Sequence, residues 1–376
     1  MARIIEVTDL SGAYASRLLV ESGHEVIRVE WHSRDSLRYR EPLLGGGNNG
    51  ESSAYHHFLN AGKKSLALDL DSTAGREIFL RLVAQADVLI ANTPLAIEDA
   101  ALIAANTKLV YSKIEDEEPD ICAMARSGLM SLTGQPDQSP MVLGGDIAAL
   151  ATGIYVAVAT AAGLRSAKKT GKGLIVTVSL REALESFAEQ AMVEYSFSGV
   201  VTERRGSKGA ITAISGALPC KDGHWVISQI HRPGRWNKFV EWVNDAELAA
   251  DASLAEEENQ IKRRDFILDR VLSWASQHAK NELVQEAQKR HFPASPVSTT
   301  LDLIDDPQLI ARGFLRRIEH RQFGTITFPQ GAIATMRKSE MAAAPRLGEH
   351  NREILSQLGF SSSDQQSFAA AGAVRG

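Results

Sequence analysis

Only two cysteines occur in 376 residues, Cys122 and Cys220, far apart and without the spacing of a zinc site. Their scarcity excludes a disulfide framework and leads one to expect a reducing compartment, the cytoplasm. An excess of one charge is also missing. The net charge is -5, so no overall pull toward nucleic acid or an anionic membrane is expected. The opening residues, MARIIEVTDLSG, enter a strand pattern at once. They lack a charged segment, a long apolar segment and a cleavage site, so no export signal is expected. The turn after that strand, TDLSGAYAS, lacks the G-x-G-x-x-G fingerprint, which excludes a standard dinucleotide site. No internal repeat and no metal-ligand set is read. Long hydrophobic runs are absent too, with one exception.

That exception runs from Ile147 to Leu164, eighteen residues without a charge, and Asp146 opens it. The length is just enough to suggest a membrane span. The composition argues otherwise, because the run is mostly Ala, Gly and Thr and no second such run exists. Small residues all round suit a helix buried on every side within a large core. A central helix is therefore expected, then a basic turn over 165–173, a strand over 174–180 and a second helix over 181–197. Asp146 is expected to cap the first amides and face the positive end of the helix dipole. The sharper alternative is that those amides position Asp146 as a nucleophile.

Upstream, a strand at 3–7, a helix at 11–22 and a strand at 25–30 form a strand–helix–strand unit, which implies a parallel crossover. Residues 31–53 read as a polar, glycine-rich loop holding Arg34, Arg38 and Arg40. Those guanidinium groups suit phosphate, and a solvated loop is the plainer reading. Strands at 63–70, 87–91 and 108–113 alternate with helices at 72–86 and 97–105, so the class is α/β. Ligands in such sheets bind beyond the carboxyl ends of strands, where Asn92 lies. Residues 115–119, EDEEP, read as a solvated acidic turn. Beyond residue 197 the pattern changes to a basic linker at 199–209, short strands at 210–229, and helices at 233–244, 261–274 and 280–291. Residues 313–336 alternate as a hairpin, and the Ser-, Gln- and Ala-rich tail over 360–376 is expected to fray. His56 and His57 are expected at the surface, Arg204 and Arg205 in a solvated linker, and His350 as the cap of the last helix.

Several segments carry a family likeness together: VIRVE at 26–30, LNAGKKSLALD at 59–69, ADVLIAN at 86–92, ARSGLMSLTG at 125–134 and KTGKG at 169–173. ASPV at 294–297, DPQL at 306–309, ARGF at 311–314 and APRLGEHN at 344–351 continue it. In this order they resemble the class III CoA-transferases, the CaiB/BaiF-like family of formyl-CoA transferase and of the carnitine and bile-acid CoA-transferases. α-Methylacyl-CoA racemase belongs to the same superfamily. The resemblance implies a Rossmann-like large domain, a smaller α+β domain and two chains interlocked as a dimer. Boundaries are read as 1–198 for the first part of the CoA-binding large domain, 199–224 for a linker, 225–330 for the small domain and 331–376 for the return.

The resemblance also implies a covalent mechanism. An aspartate attacks the acyl-CoA thioester, and an acceptor carboxylate finally takes the CoA. A carboxylate suits this role because it is ionised at neutral pH and needs no partner base, unlike a serine. Asp146 is the candidate. Leu10, Arg38, Leu68 and Asn92 match positions that contact CoA, which is a substrate here; no permanently bound cofactor is expected. The partners implied are an acyl-CoA, a carboxylic acid and a second copy or a paralogous subunit, without nucleic acid or membrane. The sequence also departs from the pattern. Asp146 stands two or three residues before the matching position, where a gapless match puts Ala148 or Ala149. Met124 replaces the glutamine of the Q-A-x-S-G motif, Asp71 replaces a common lysine, Trp31-His32 replaces Arg-Pro, and no glycine-rich lid occurs between Gly199 and Gly223. These departures keep a non-catalytic subunit open as an alternative. A racemase is disfavoured, because Pro119 stands where its histidine would be.

Overall fold

The computed structural model describes residues 1–30, 36–46, 50–92, 94–115, 118–206, 213–214, 216–232, 234–320, 323–333, 335 and 341–375. Trp31-His32, Arg34, Lys208 and parts of the stretches 115–119, 210–229 and 313–336 lie outside the described residues. The chain opens as β1 (Arg3–Val7), α1 (Leu10–Glu21), β2 (Glu25–Glu30), α2 (Ala54–Asn60), β3 (Lys64–Ala67), α3 (Thr73–Ala84) and β4 (Val88–Asn92). It continues as α4 (Asp99–Ala105), β5 (Val110–Glu115), α5 (Asp120–Arg126), α6 (Leu129–Leu132), α7 (Ile147–Thr170), β6 (Leu174–Ser179), α8 (Leu180–Glu185) and α9 (Glu189–Ser198).

The six strands form one parallel sheet in the order β3-β2-β1-β4-β5-β6. Successive strand residues point to opposite faces. Ile5, Ile27, Leu66 and Leu89 therefore pack on one side against Ile78, Phe79 and Leu82 of α3. Ile4, Val26, Val88 and Val110 pack on the other against Leu19 of α1 and Val156 of α7. Both faces of β1, β2 and β4 are covered, which is why apolar residues of these strands are buried on both sides instead of alternating with exposed ones.

The small residues of α7 are explained by close approach. A Cβ on Gly153 would stand 2.6 Å from the Ser11 carbonyl of α1, and one on Gly163 would stand 2.7 Å from Val110 of β5. Gly153→Val should destabilise the fold by about 1–3 kcal/mol through overpacking, seen as a lower urea midpoint. Burial on every side does not hold. Ile147, Ile154, Tyr155 and Val158 form an exposed apolar stripe with helical spacing. Among the described residues α7 is the helix long and apolar enough to cross a membrane, yet its other face packs on the sheet and on α1. The expected turn at 165–173 is also corrected, since α7 continues to Thr170. Lys168 and Lys169 suit the negative end of its dipole, and Gly171 ends it with a φ of 70°.

The chain divides into two units. The larger comprises Met1–Leu129, Leu143–Val193 and Pro307–Gly376, and the smaller comprises Met130–Val142 and Glu194–Asp306. In the smaller, strands Leu218–Cys220, Gly223–Ile227 and Ala294–Pro296 pair antiparallel beside a core of Trp225, Trp236, Phe239, Ile267 and Phe292. Arg204, expected in a solvated linker, donates to the carbonyls of Gln135 at 3.2 Å and Gln138 at 3.1 Å within this unit. In the larger unit, strands Leu315–His320 and Gly324–Pro329 form the hairpin. The tail does not fray as expected. Ser361 and Asp364 make a reciprocal capping box that starts a helix, Ser362–Ala370. Beyond it the Ala373 carbonyl accepts the Asp69 amide at 2.9 Å, and Val374 bridges to Leu68.

Candidate active site

Strand order reverses between β1 and β4, and a ligand crevice is expected beyond their carboxyl ends. A cavity of about 510 Å³ lies there, lined by residues that include Val7, Asp9, Arg28, Asp71, Asn92 and Leu95. Asn92 ends β4, and its Oδ1 accepts the Asp9 amide at 3.1 Å, which ties the two strand ends together. The Asp9 Oδ1 is buried and has no hydrogen-bond partner among the described residues. Burial pushes this carboxyl up, and the Ser11 amide, Arg28 and Asn92 only partly offset it.

Arg28, in the cavity wall, belongs to a buried cluster of charges. It contacts Glu6 and lies 3.7 Å from Glu30. Glu6 also accepts Lys63 Nζ at 2.7 Å and Thr8 Oγ1 at 2.9 Å. Lys63 donates further to the Ala13 carbonyl at 3.0 Å and to Asn60 Oδ1 at 2.9 Å. Burial alone would raise the Glu6 carboxyl, but Lys63 and Arg28 overcome it and hold the group below its ordinary value.

Arg38 grips Glu30 at 2.6 and 2.8 Å, Glu51 at 2.9 Å and the Pro345 carbonyl at 3.2 Å. It is buried among protein acceptors and is not among the residues lining the cavity. Leu68 is buried in the core beside Val374. His56 and His57 are buried in α2, not at the surface as expected. His56 meets the Pro345 carbonyl at 3.2 Å, and His57 donates to the Glu51 carbonyl at 2.9 Å. His350 is the N-cap residue of the helix Asn351–Gln357, as expected, but its side chain makes no hydrogen bond to the helix amides. Its Nδ1 instead accepts the Ser65 amide at 3.2 Å.

The second part of the site is the start of α7. Leu10 and Ala13 of α1 share an apolar cluster with Leu37, Leu59 and Ala149, so the two helix starts lie side by side. Asp146 immediately precedes α7 and follows Gly145, whose φ of 76° favours glycine. Its side chain accepts nothing from the α7 amides, contrary to the expected cap. Oδ1 takes a hydrogen bond from Arg40, and Oδ2 takes one from the Tyr55 hydroxyl. The Arg40 guanidinium lies over the Tyr55 ring, 4.8 Å from its centroid. Ser53 caps α2 by accepting the His56 amide at 3.2 Å, which fixes the turn carrying Tyr55. The Asp146 side chain is 16% exposed and that of Arg40 is 41% exposed.

Asp120, at the start of α5, is close enough to feel this group. Burial and then the Asp146 charge push its carboxyl up, against the pull of Arg40. The Tyr55 phenol is raised chiefly by its hydrogen bond to Asp146, so the hydroxyl remains a donor at neutral pH. A carboxylate with both oxygens held, partly withdrawn from water at the positive end of a helix, has the surroundings of a nucleophile or a general base. Sequence reasoning named Arg40 only as a possible phosphate ligand and missed Tyr55. No spacing signal links positions 40, 55 and 146.

The sequence model of CoA-transferase family III matches residues 2–351. The chain belongs to that family. This CoA-transferase is 29% identical over 382 residues to succinyl-CoA:mesaconate CoA-transferase of Haloarcula hispanica, covering 95% of each chain. It is 28% identical over 402 residues to a subunit of succinyl-CoA:(R)-benzylsuccinate CoA-transferase of Thauera aromatica, covering 99% of this chain and 97% of that one. A CAIB/BAIF family protein from Brucella suis, solved by crystallography, matches with a TM-score of 0.85 at 28% identity, over 95% of this chain and 98% of that one. The enzyme thus shares the central parallel sheet and mixed α/β architecture of that structure.

Proposed function

We propose that this CoA-transferase moves CoA from an acyl-CoA thioester to a carboxylic acid through a covalent intermediate on Asp146. The observation that carries this reading is the placement of Asp146 before α7, with Arg40 and Tyr55 on its two oxygens. The gapless match at Ala148 or Ala149 falls inside the helix, where both side chains are buried. The carboxylate therefore stands just ahead of the first turn, and its shifted spacing does not turn it into the core.

In the first step an Asp146 oxygen bonds to the thioester carbon, the C–S bond breaks and CoA leaves as thiolate. The thiolate attacks the aspartyl carbonyl of the resulting anhydride and expels the donor acid, leaving an aspartyl-CoA thioester. An acceptor carboxylate attacks that carbonyl and releases the thiolate again. The thiolate then takes the acceptor's acyl group and frees Asp146. Tyr55 and the amides that start α7 are the donors suited to the tetrahedral oxyanions.

In this reading CoA lies in the cavity beyond β1 and β4, against Asn92 and the backbone at Leu10. The unpartnered Asp9 oxygen takes a hydrogen bond from an N–H of the ligand. Arg38 and Leu68 hold the wall in place from behind. No group needs to stay bound between turnovers. We infer further that two copies interlock, because the exposed stripe of Ile154, Tyr155 and Val158 on α7, with Phe187 nearby in sequence, offers an apolar face to a second chain. The racemase reading gains nothing, since Pro119 carries no proton. The non-catalytic reading is opposed by the donors gathered on Asp146.

The test is covalent trapping. Incubation with succinyl-CoA and then hydroxylamine should leave a hydroxamate on the peptide containing Asp146, identified by mass spectrometry. An unmodified Asp146 peptide in a preparation that binds CoA would overturn the reading.

A further inference from the structure

Both oxygens of Asp146 are occupied, one by Arg40 and one by Tyr55. Each oxygen keeps a second lone pair, so the two hydrogen bonds lower its nucleophilicity without blocking it. Tyr55 is neutral and can pass its hydrogen bond to a developing oxyanion. Arg40 is different, because its fixed positive charge needs an anion wherever it turns. Its guanidinium is held on one side by the Tyr55 ring, 4.8 Å away, and its side chain is 41% exposed, so leaving Asp146 costs little desolvation. Asp120 stands close enough to be raised by Asp146 and lowered by Arg40. Arg40 is the cation that meets these carboxylates among the described residues, and without it they would repel a substrate bearing a second negative group.

We propose that Arg40 is the receptor for a second carboxylate on the substrate, so the acids handled here are dicarboxylates. In the resting enzyme Asp146 occupies the receptor. On binding, the remote carboxylate of the substrate displaces Asp146 from Arg40 and takes both guanidinium N–H groups. That displacement removes the guanidinium from Oδ1 and makes it a better nucleophile, so substrate recognition and activation of Asp146 are one event. A monocarboxylate cannot make the exchange, and Arg40 stays on Asp146. The activation of Asp146 in this inference rests on its being the nucleophile; the receptor role, which adds the substrate class, stands on the Arg40 geometry.

The test compares succinate with butyrate, which replaces one carboxylate by a methyl group. With one CoA donor, wild-type enzyme should prefer succinate in kcat/KM. In Arg40→Gln the ratio of the two kcat/KM values should fall by about 30- to 100-fold, the scale of losing a charge-assisted pair. Arg40→Lys should recover part of the ratio, as a point charge without the planar fork. Equal losses for both acids would overturn the proposal, because Arg40 would then serve the reacting carbonyl of any acyl group. An unchanged ratio would overturn it as well.

A binding measurement separates this proposal from the covalent reading. By calorimetry, Asp146→Asn should bind succinate about tenfold more tightly than wild type, since the competing carboxylate is gone. Butyrate should show no such gain, and Arg40→Gln in the same background should abolish it. No gain for succinate in Asp146→Asn overturns the receptor role even if the hydroxamate is found. A gain with no hydroxamate upholds the receptor and removes the nucleophile.

Discussion

Asp146→Asn is expected to lower kcat by more than about 10⁴-fold, the scale of losing a covalent nucleophile, without unfolding the protein. The amide keeps the shape of the side chain and can still accept from Tyr55, but it cannot form the anhydride. The structural cost should be small. The pair with Arg40 is partly exposed on the Arg40 side, and such pairs contribute about 0–1 kcal/mol. Circular dichroism and the urea midpoint should match wild type while single-turnover release of CoA from succinyl-CoA disappears. If Asp146→Asn still turned over within about tenfold of wild type, another group would have to carry the acyl chain.

Glu6→Gln is expected to have the largest effect on stability, a loss of about 3–5 kcal/mol. Glu6 is the shared partner of Lys63 and Arg28, and all three side chains are fully or almost fully buried. The neutral amide removes the carboxylate shared by Lys63 and Arg28, which leaves the buried Lys63 without its ion pair and Arg28 with Glu30 alone at 3.7 Å. Lys63→Met should cost less, because Glu6 keeps Arg28. In the double variant the coupling should return part of the loss. The same cluster sets an acid limit. The Glu6 carboxyl lies below its ordinary value in the folded chain. The unfolded chain therefore binds more protons below about pH 4.5, and stability contributed by Glu6 falls as pH drops through the folded value. Urea midpoints measured from pH 7 down to pH 4 should decline more steeply for wild type than for Glu6→Gln.

Much of the architecture was legible because it depends on local pattern. The strands ending in EVIRVE and DVLIA, and the small-residue helix after Asp146, announced themselves by composition and period. What stayed hidden depends on distant partners. Glu6, Arg28 and Glu30 read as ordinary strand residues, yet they point inward because Lys63 and Arg38 arrive from other segments to neutralise them. His56 and His57 read as surface residues for the same reason, since the carbonyls that satisfy them belong to Pro345 and Glu51. The capping box at Ser361 was a local signal that the polar composition of the tail masked. Asp146 was legible as a candidate from its solitude at the helix start. Its company, Arg40 and Tyr55, was not, because chain folding alone brings them to it.

The last turn of the chain has a consequence of its own. β3 is the outermost strand of the parallel sheet, and its free rim would be a template for unwanted pairing between molecules. The Arg375 amide reaches the Ala67 carbonyl at 3.2 Å and Val374 lies against Leu68, so the terminal residues seal that rim like a hem. Removing Val374 and Arg375 should leave Asp146, Arg40 and Tyr55 in place but expose an adhesive border, and the protein should then clump.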